Sequence, residues 1–287
     1  MLKIRITMGF GSFRTATLAT IVCVCLAWFG AGCRSTSVAV KSGQRIEPFN
    51  FSISSASDEF HIEGYLAHGA EPGRLPTLLV LNPGAGNARQ CIKTAYRYTQ
   101  LGINVACISL PGYGGSSGPG RFSGPQSVAA ARHALDLLAA RPDVDGSRMG
   151  VWGLETGAVT AGLLMDADRR PRVVILQSGT YDMTQFWPEA RLLTKLSILH
   201  QIWPSHRVLK ERSVVDHLPP KLTCKVLILH GRKDKRVPLN QAEQLAAALR
   251  DRGAAVETHY YQGGGDRLGS RVDSAVAAFL RQNLLPG

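Results

Sequence analysis

The chain has 287 residues, 45% of them hydrophobic, and a formal net charge of +12 at pH 7. That length and apolar content suffice for one large α/β domain with a substantial core and exclude wholesale disorder. The positive charges are scattered, with no dense basic block or nucleic-acid motif, which argues against a nucleic-acid partner and for a solvated basic surface near an anionic bilayer.

Residues 1–33 read as an address rather than as part of the fold. Lys3, Arg5 and Arg14 precede an apolar run over 16–29, and no acid occurs before Cys33, so the remainder carries +9. A positive start, a short apolar stretch and small residues at its end describe a secretory signal. The run is shorter than the ~20 residues of a spanning helix. Its ending, Gly30-Ala31-Gly32-Cys33, resembles a bacterial lipoprotein box with glycine where leucine is usual, which implies lipidation at Cys33 and a membrane partner. Residues 34–45 are polar and small, a tether, and the domain is expected over 46–287. Four cysteines remain after cleavage: Cys33, Cys91, Cys107 and Cys224. Cys107 lies in an apolar run and is expected to be inert core. A Cys91–Cys224 disulfide is left open. No spacing suggests zinc, and neither a cofactor nor a metal is expected.

From there strands alternate with helices. Residues 49–53 and 60–66 read as an edge hairpin. Strands follow at 77–81, 103–109, 148–152, 173–177, 226–230 and 256–261. Helices are expected at 89–101, 126–140, 156–165, 240–252 and 272–284, the second with Val128, Ala131, Leu135 and Leu138 at helical spacing. The alternation predicts a mostly parallel sheet of about eight strands with helices on both faces. Residues 181–220 break the rhythm and hold Phe186, Trp187 and Trp203. They either form a helical lid or pack on the sheet edge.

The chemistry concentrates at Gly153-Leu154-Glu155-Thr156-Gly157. A strand, a glycine-flanked turn and a helix form the layout of a nucleophile elbow, Gly-x-Ser-x-Gly, with glutamate as its central residue. Gly114-Gly115-Ser116-Ser117-Gly118 fits the same pattern, but it leads into Pro119 rather than a helix, so Ser116 reads as part of a structural turn.

Together these pieces resemble the α/β-hydrolase superfamily, with the nearest likeness to dienelactone-hydrolase-like and prolyl-oligopeptidase-like catalytic domains over about 46–284. The approach Pro142-Asp143-Val144-Asp145-Gly146-Ser147-Arg148-Met149-Gly150-Val151-Trp152-Gly153 carries it. So do His230-Gly231-Arg232-Lys233-Asp234 and Tyr261-Gln262-Gly263-Gly264-Gly265-Asp266. The resemblance maps the triad acid to Asp234, the nucleophile to Glu155 and the histidine to Asp266. It maps the oxyanion loop to Asn82, Gly84 and Ala85, with the backbone of Thr156.

Acyl transfer needs an attacking hydroxyl and an imidazole that takes and returns its proton. With carboxylates at 155 and 266, serine-hydrolase activity is not expected. The resulting expectation is an exported, lipid-anchored protein that binds a small-molecule or protein ligand without catalysis. Two rivals stand beside it. Glu155 could act as a carboxylate nucleophile, as aspartate does in haloalkane dehalogenases and epoxide hydrolases, but the water step then needs a histidine, and His259 lies on the preceding strand. Alternatively, Glu155, Asp234 and Asp266 converge as a cation site. The plain structural role for Glu155 is an acid at a helix N-terminus, paired with Arg267.

Overall fold

The computed structural model describes residues 45–55, 58–84, 86–262 and 268–285. The expectations for Cys33, the signal and most of the tether, Ala85, Asp266 and Arg267 therefore lie outside the described residues.

Eight strands form the main sheet in the order β1-β4-β6-β5-β7-β8-β9-β10. They are β1 (Ile46–Pro48), β4 (Gly64–Ala67), β5 (Leu75–Leu81), β6 (Asn104–Ile108), β7 (Val144–Leu154), β8 (Pro171–Gln177), β9 (Lys225–Gly231) and β10 (Val256–Tyr261). β1 and β4 pair antiparallel, as do β4 and β6, and every later pairing is parallel. This is the α/β-hydrolase fold read from the sequence.

Apolar runs are buried on both faces because each strand sends alternate residues to opposite cores. In β5, Leu79 and Leu81 join α2 (Pro125–Ala139), α3 (Thr156–Ala167) and α7 (Asn240–Arg250) on one face. Leu78 and Val80 join α1 (Ala88–Ala95) and α8 (Asp273–Asn283) on the other. The helix expected over 89–101 is α-helical only in its first half; Tyr96–Leu101 tightens into a 3-10 helix.

The hairpin departs from expectation. β2 (Phe51–Ser55) pairs with β3 (Asp58–Ile62) in a separate two-stranded sheet, and the run expected over 60–66 breaks at Glu63. Gly64 explains the break. Its N–H bonds Asn50 Oδ1 at 3.1 Å while its carbonyl accepts from Phe49 N–H at 2.8 Å. A Cβ there would stand 2.4 Å from the Phe49 carbonyl oxygen, so only glycine lets the chain change sheets at this point.

Cys107 is not a lone core thiol. It is joined to Cys91, and Cys224 is the free, buried cysteine. Strand alternation turns Cys107 toward the face covered by α1, where Cys91 is itself buried. Burial pushes the Cys224 thiol up to about 11.

Residues 181–220 fold into three short helices, α4 (Met183–Glu189), α5 (Leu192–Leu199) and α6 (His206–Lys210). Met183, Phe186, Ile198, Ile202 and Leu209 give them a small core of their own. Arg212 ties the segment to the loop before α2. Its buried guanidinium donates to the carbonyls of Arg121 (3.1 Å), Phe122 (3.0 Å) and Val208 (2.9 Å). That loop carries Phe122 and Ser123 at positive φ, 42° and 55°.

Candidate functional site

β7 ends in a bend whose corner is Glu155, at φ 51° and ψ −112°. A non-glycine residue there costs roughly 1–3 kcal/mol and persists only where its surroundings fix it. They do. The Glu155 N–H bonds the Gln177 carbonyl of β8 at 2.8 Å, and its own carbonyl accepts from Ala158 at 3.0 Å as α3 begins. The flanking glycines let strand and helix touch. A Cβ on Gly153 would lie 2.2 Å from the Gly157 carbonyl oxygen, and one on Gly157 would lie 2.2 Å from that of Leu81. The sharp bend is therefore kept, with a carboxylate at its apex.

The Glu155 side chain is 27% exposed, and its Oε2 stands 3.7 Å from Arg236 Nη1. Arg236 is one of five basic residues (Arg232, Lys233, Lys235, Arg236 and Arg267) whose place beside the three carboxylates in sequence suggests that they neutralise them, and among the described residues it is the one found against Glu155. The carboxylate sits at the N-terminus of α3, where the helix field favours it by ~0.3–1 kcal/mol.

Asp234 is in the loop after β9, with its side chain 1% exposed. Oδ1 accepts the N–H groups of Arg236 (2.8 Å) and Val237 (2.9 Å). Oδ2 is buried with no hydrogen-bond partner among the described residues. The nearest imidazole is His230, whose Nε2 is 3.7 Å from Oδ2 and 3.0 Å from the Val237 carbonyl. With Nε2–H donating to that carbonyl, His230 braces the loop from below, fully buried.

Burial holds the His230 ring below the ordinary histidine value, against the opposing pull of the Val237 carbonyl, Asp234 and Glu243. The unfolded chain takes up this proton near pH 6.5. The stability contributed by the neutral ring is thus full above about pH 6.5 and is lost as pH falls toward the lower, folded value. The melting temperature is expected to drop between pH 7 and 5, and His230→Gln to flatten that drop. Equal slopes in the two proteins would assign the acid sensitivity elsewhere.

On the opposite side, Asn82 is buried and donates from Nδ2 to the Ile108 carbonyl at 3.1 Å. Its side chain is thus committed to the sheet end. A Cβ on Gly84 would stand 3.2 Å from Thr156 Oγ1, which places the loop directly against the start of α3. Thr156 Oγ1 is buried without a partner among the described residues.

Ser116 is held as a turn residue. Its hydroxyl donates to the Ser109 carbonyl at 2.7 Å and accepts from Glu63 N–H at 2.9 Å. Neither cavity at Glu155 includes it.

Glu155 and Arg236 stand between two cavities. One, of about 430 Å³, lies beneath α5, with Phe122, Val159, Phe186 and Ile198 as apolar walls and Thr156, Ser178 and Asp234 as polar lining. The other, of about 480 Å³, opens toward α1 and is lined by Asn82, Tyr98, Trp152 and Gln177. Ser178, also at positive φ (53°), and Phe122 were not visible as site residues, because a loop conformation leaves no periodic signal in sequence.

All eight histidines (61, 68, 133, 200, 206, 217, 230 and 259) fall within the described residues, and none lines either cavity. His259 bonds Glu257 at 2.6 Å on β10. Among the described residues no group of three potential metal ligands occurs.

Comparison with known proteins agrees with this architecture. The description "Prolyl oligopeptidase family" matches residues 123–284, more than half of the chain. An uncharacterized protein of Mycobacterium tuberculosis is 29% identical over 202 residues, 68% of this chain and 66% of that protein. The uncharacterized peptidase YtmA of Bacillus subtilis is 24% identical over 215 residues, 74% of this chain and 83% of that one. Among solved structures, the acylaminoacyl peptidase of Pyrococcus horikoshii superposes with a TM-score of 0.68 at 15% identity, over 84% of this chain and 43% of that one. A puromycin-hydrolyzing peptidase of Mycobacterium tuberculosis gives 0.70 at 21%, over 83% and 39%. The acetyl xylan esterase of Paenibacillus sp. R4 gives 0.64 at 16%, over 84% and 90%. These structural likenesses show the fold. The chain spans about two-thirds of the mycobacterial relative it matches and less than half of the two solved peptidases.

Proposed function

The chain belongs to the prolyl oligopeptidase family, and from that premise we propose that it is a family member that binds a ligand at its elbow without cleaving it. One observation carries the reading: the apex of the bend after β7 is a carboxylate paired with Arg236. The absence of histidine from the lining of both adjoining cavities supports it. A hydroxyl nucleophile and a proton-shuttling base are the two parts that acyl transfer cannot lack. What remains suits binding: an apolar cavity with a polar lining and basic groups at its mouth. Asp234 and Asp266 stand at the other two triad positions of this proposal.

Hydrolysis of a peptide or ester bond is the rival, and it draws on the names of the relatives. Exposure of the purified protein to a fluorophosphonate probe and to short-chain nitrophenyl esters separates the two. No labelling and no turnover are expected, whereas robust turnover abolished by Glu155→Gln would establish the rival.

The same proposal places the protein outside the cytoplasm, anchored by lipid at Cys33. The Cys91–Cys107 disulfide supports an oxidising compartment. Processing of the full chain is expected to be sensitive to globomycin, and Cys33→Ala to lose that sensitivity. Unchanged processing in Cys33→Ala would remove the anchor from the proposal.

A further inference from the structure

Five large apolar side chains stand exposed among the described residues, and all lie between positions 192 and 203. They are Leu192 (71%), Leu193 (80%), Leu196 (52%), Leu199 (43%) and Trp203 (80%). Leu192, Leu196 and Leu199 recur at helical spacing and share the outward face of α5, which Trp203 extends just beyond the helix end. Ile198 is the one buried residue of α5. A surface helix ordinarily turns its apolar stripe to the core; here the stripe faces water. A contiguous patch of this kind marks an interaction face.

Its surroundings are cationic. Exposed Arg191 and Arg207 and half-buried Lys195 lie along the insertion, and exposed Lys235 reaches the rim from the loop after β9. Against them stand Glu189 and Glu211, the latter 3.8 Å from Arg207. Arg191, Leu192, Leu193 and Lys235 also line the 430 Å³ cavity, so the patch and the cavity mouth are one continuous surface. Leucines and a tryptophan ringed by basic side chains match the boundary between headgroups and acyl chains in an anionic bilayer. No described helix is long and apolar enough to cross a membrane, so the contact would lie in the interface plane.

We propose that α5 and Trp203 dock on the surface of an anionic membrane, turning the mouth of the elbow cavity toward the lipid. The proposal is independent of whether the elbow is catalytic. It also differs from anchoring at Cys33, which by itself would leave the orientation of the domain open.

The test uses the full chain with vesicles containing acyl-brominated lipid, and reads the tryptophan quenching that Trp203→Phe removes. Anchoring through the N-terminal segment alone leaves that component at zero. Quenching of the Trp203 component is expected with phosphatidylglycerol-containing vesicles, and its loss with phosphatidylcholine alone or at high salt. Leu193→Ser is expected to weaken partitioning about tenfold or more, and Arg191→Gln roughly fivefold. Both positions are exposed, so the fold should be unaffected. Absence of Trp203 quenching on anionic vesicles would overturn the proposal. So would a blue shift of Trp203 that grows with protein concentration without lipid, which would report a second copy on this face.

Discussion

Purified protein is expected to remain unlabelled by a fluorophosphonate probe and to hydrolyse nitrophenyl esters on the order of a million-fold more slowly than an intact serine hydrolase. The size of the deficit follows from the proposed replacement of nucleophile and base. Loss of either nucleophile or base removes nearly the whole advantage of a triad, because the two act as one unit. Glu155→Ser is accordingly expected to stay inactive. It would restore a hydroxyl to a bend whose φ of 51° already suits an elbow, but no histidine lines the space around it. Activity in Glu155→Ser, measured with the same ester and abolished by replacing Asp234, would mean that a base operates which this geometry does not contain.

Gly157→Ala is expected to be, with Gly153→Ala, among the most damaging conservative substitutions at the site. The added methyl would stand 2.2 Å from the Leu81 carbonyl oxygen and 2.7 Å from that of Asn82. Both obstacles are backbone, and no rotamer can relieve them. Either α3 lifts from the ends of β5 and β7 or the loop that follows Leu81 is pushed aside. A clash of this kind costs on the order of 4 kcal/mol, at the severe end of single substitutions. For a domain of this size it corresponds to a fall of roughly 10 °C in melting temperature. Gly146→Ala is the control. Its Cβ would meet Ala139 at an ordinary 3.4 Å and should leave the melting temperature near that of the parent. Equal behaviour of the two variants would mean that strand and helix are not in contact at the bend.

The parts of this molecule legible in its sequence are those in which local chemistry and global fold agree. The elbow could be read because two glycines four positions apart, Gly153 and Gly157, are required by backbone contact, whatever residue stands midway between them. The sheet could be read because buried parallel strands are continuous apolar runs. The turn around Ser116 is legible from Pro119, which bars the helix an elbow needs. Other features depend on partners distant in sequence. Nothing near Cys91 says that its helix packs over β6, so its bond to Cys107 emerges only from the register of strand and helix. Glu63 breaks a run that reads as one strand because Gly64 must pass Phe49 closely, a contact across the start of the domain. Within 181–220 the aromatics are poor guides: Phe186 is buried in a small separate core while Trp203 faces water. Composition alone cannot distinguish the two.

Arg212 gives the inserted segment a structural duty separate from any covering role. Its guanidinium supplies donors to the Arg121 and Phe122 carbonyls, which lie next to the left-handed pair at 122 and 123. The wall of the 430 Å³ cavity is therefore braced from within the insertion. Trimming 181–220 to a short connector would not yield a minimal scaffold, because it would orphan two carbonyls in the body of the domain and release the backbone that shapes the site. Any redesign of this region, or any graft of it onto another protein, has to treat the loop ending at Ser123 and the segment ending at Ser213 as one transplantable part.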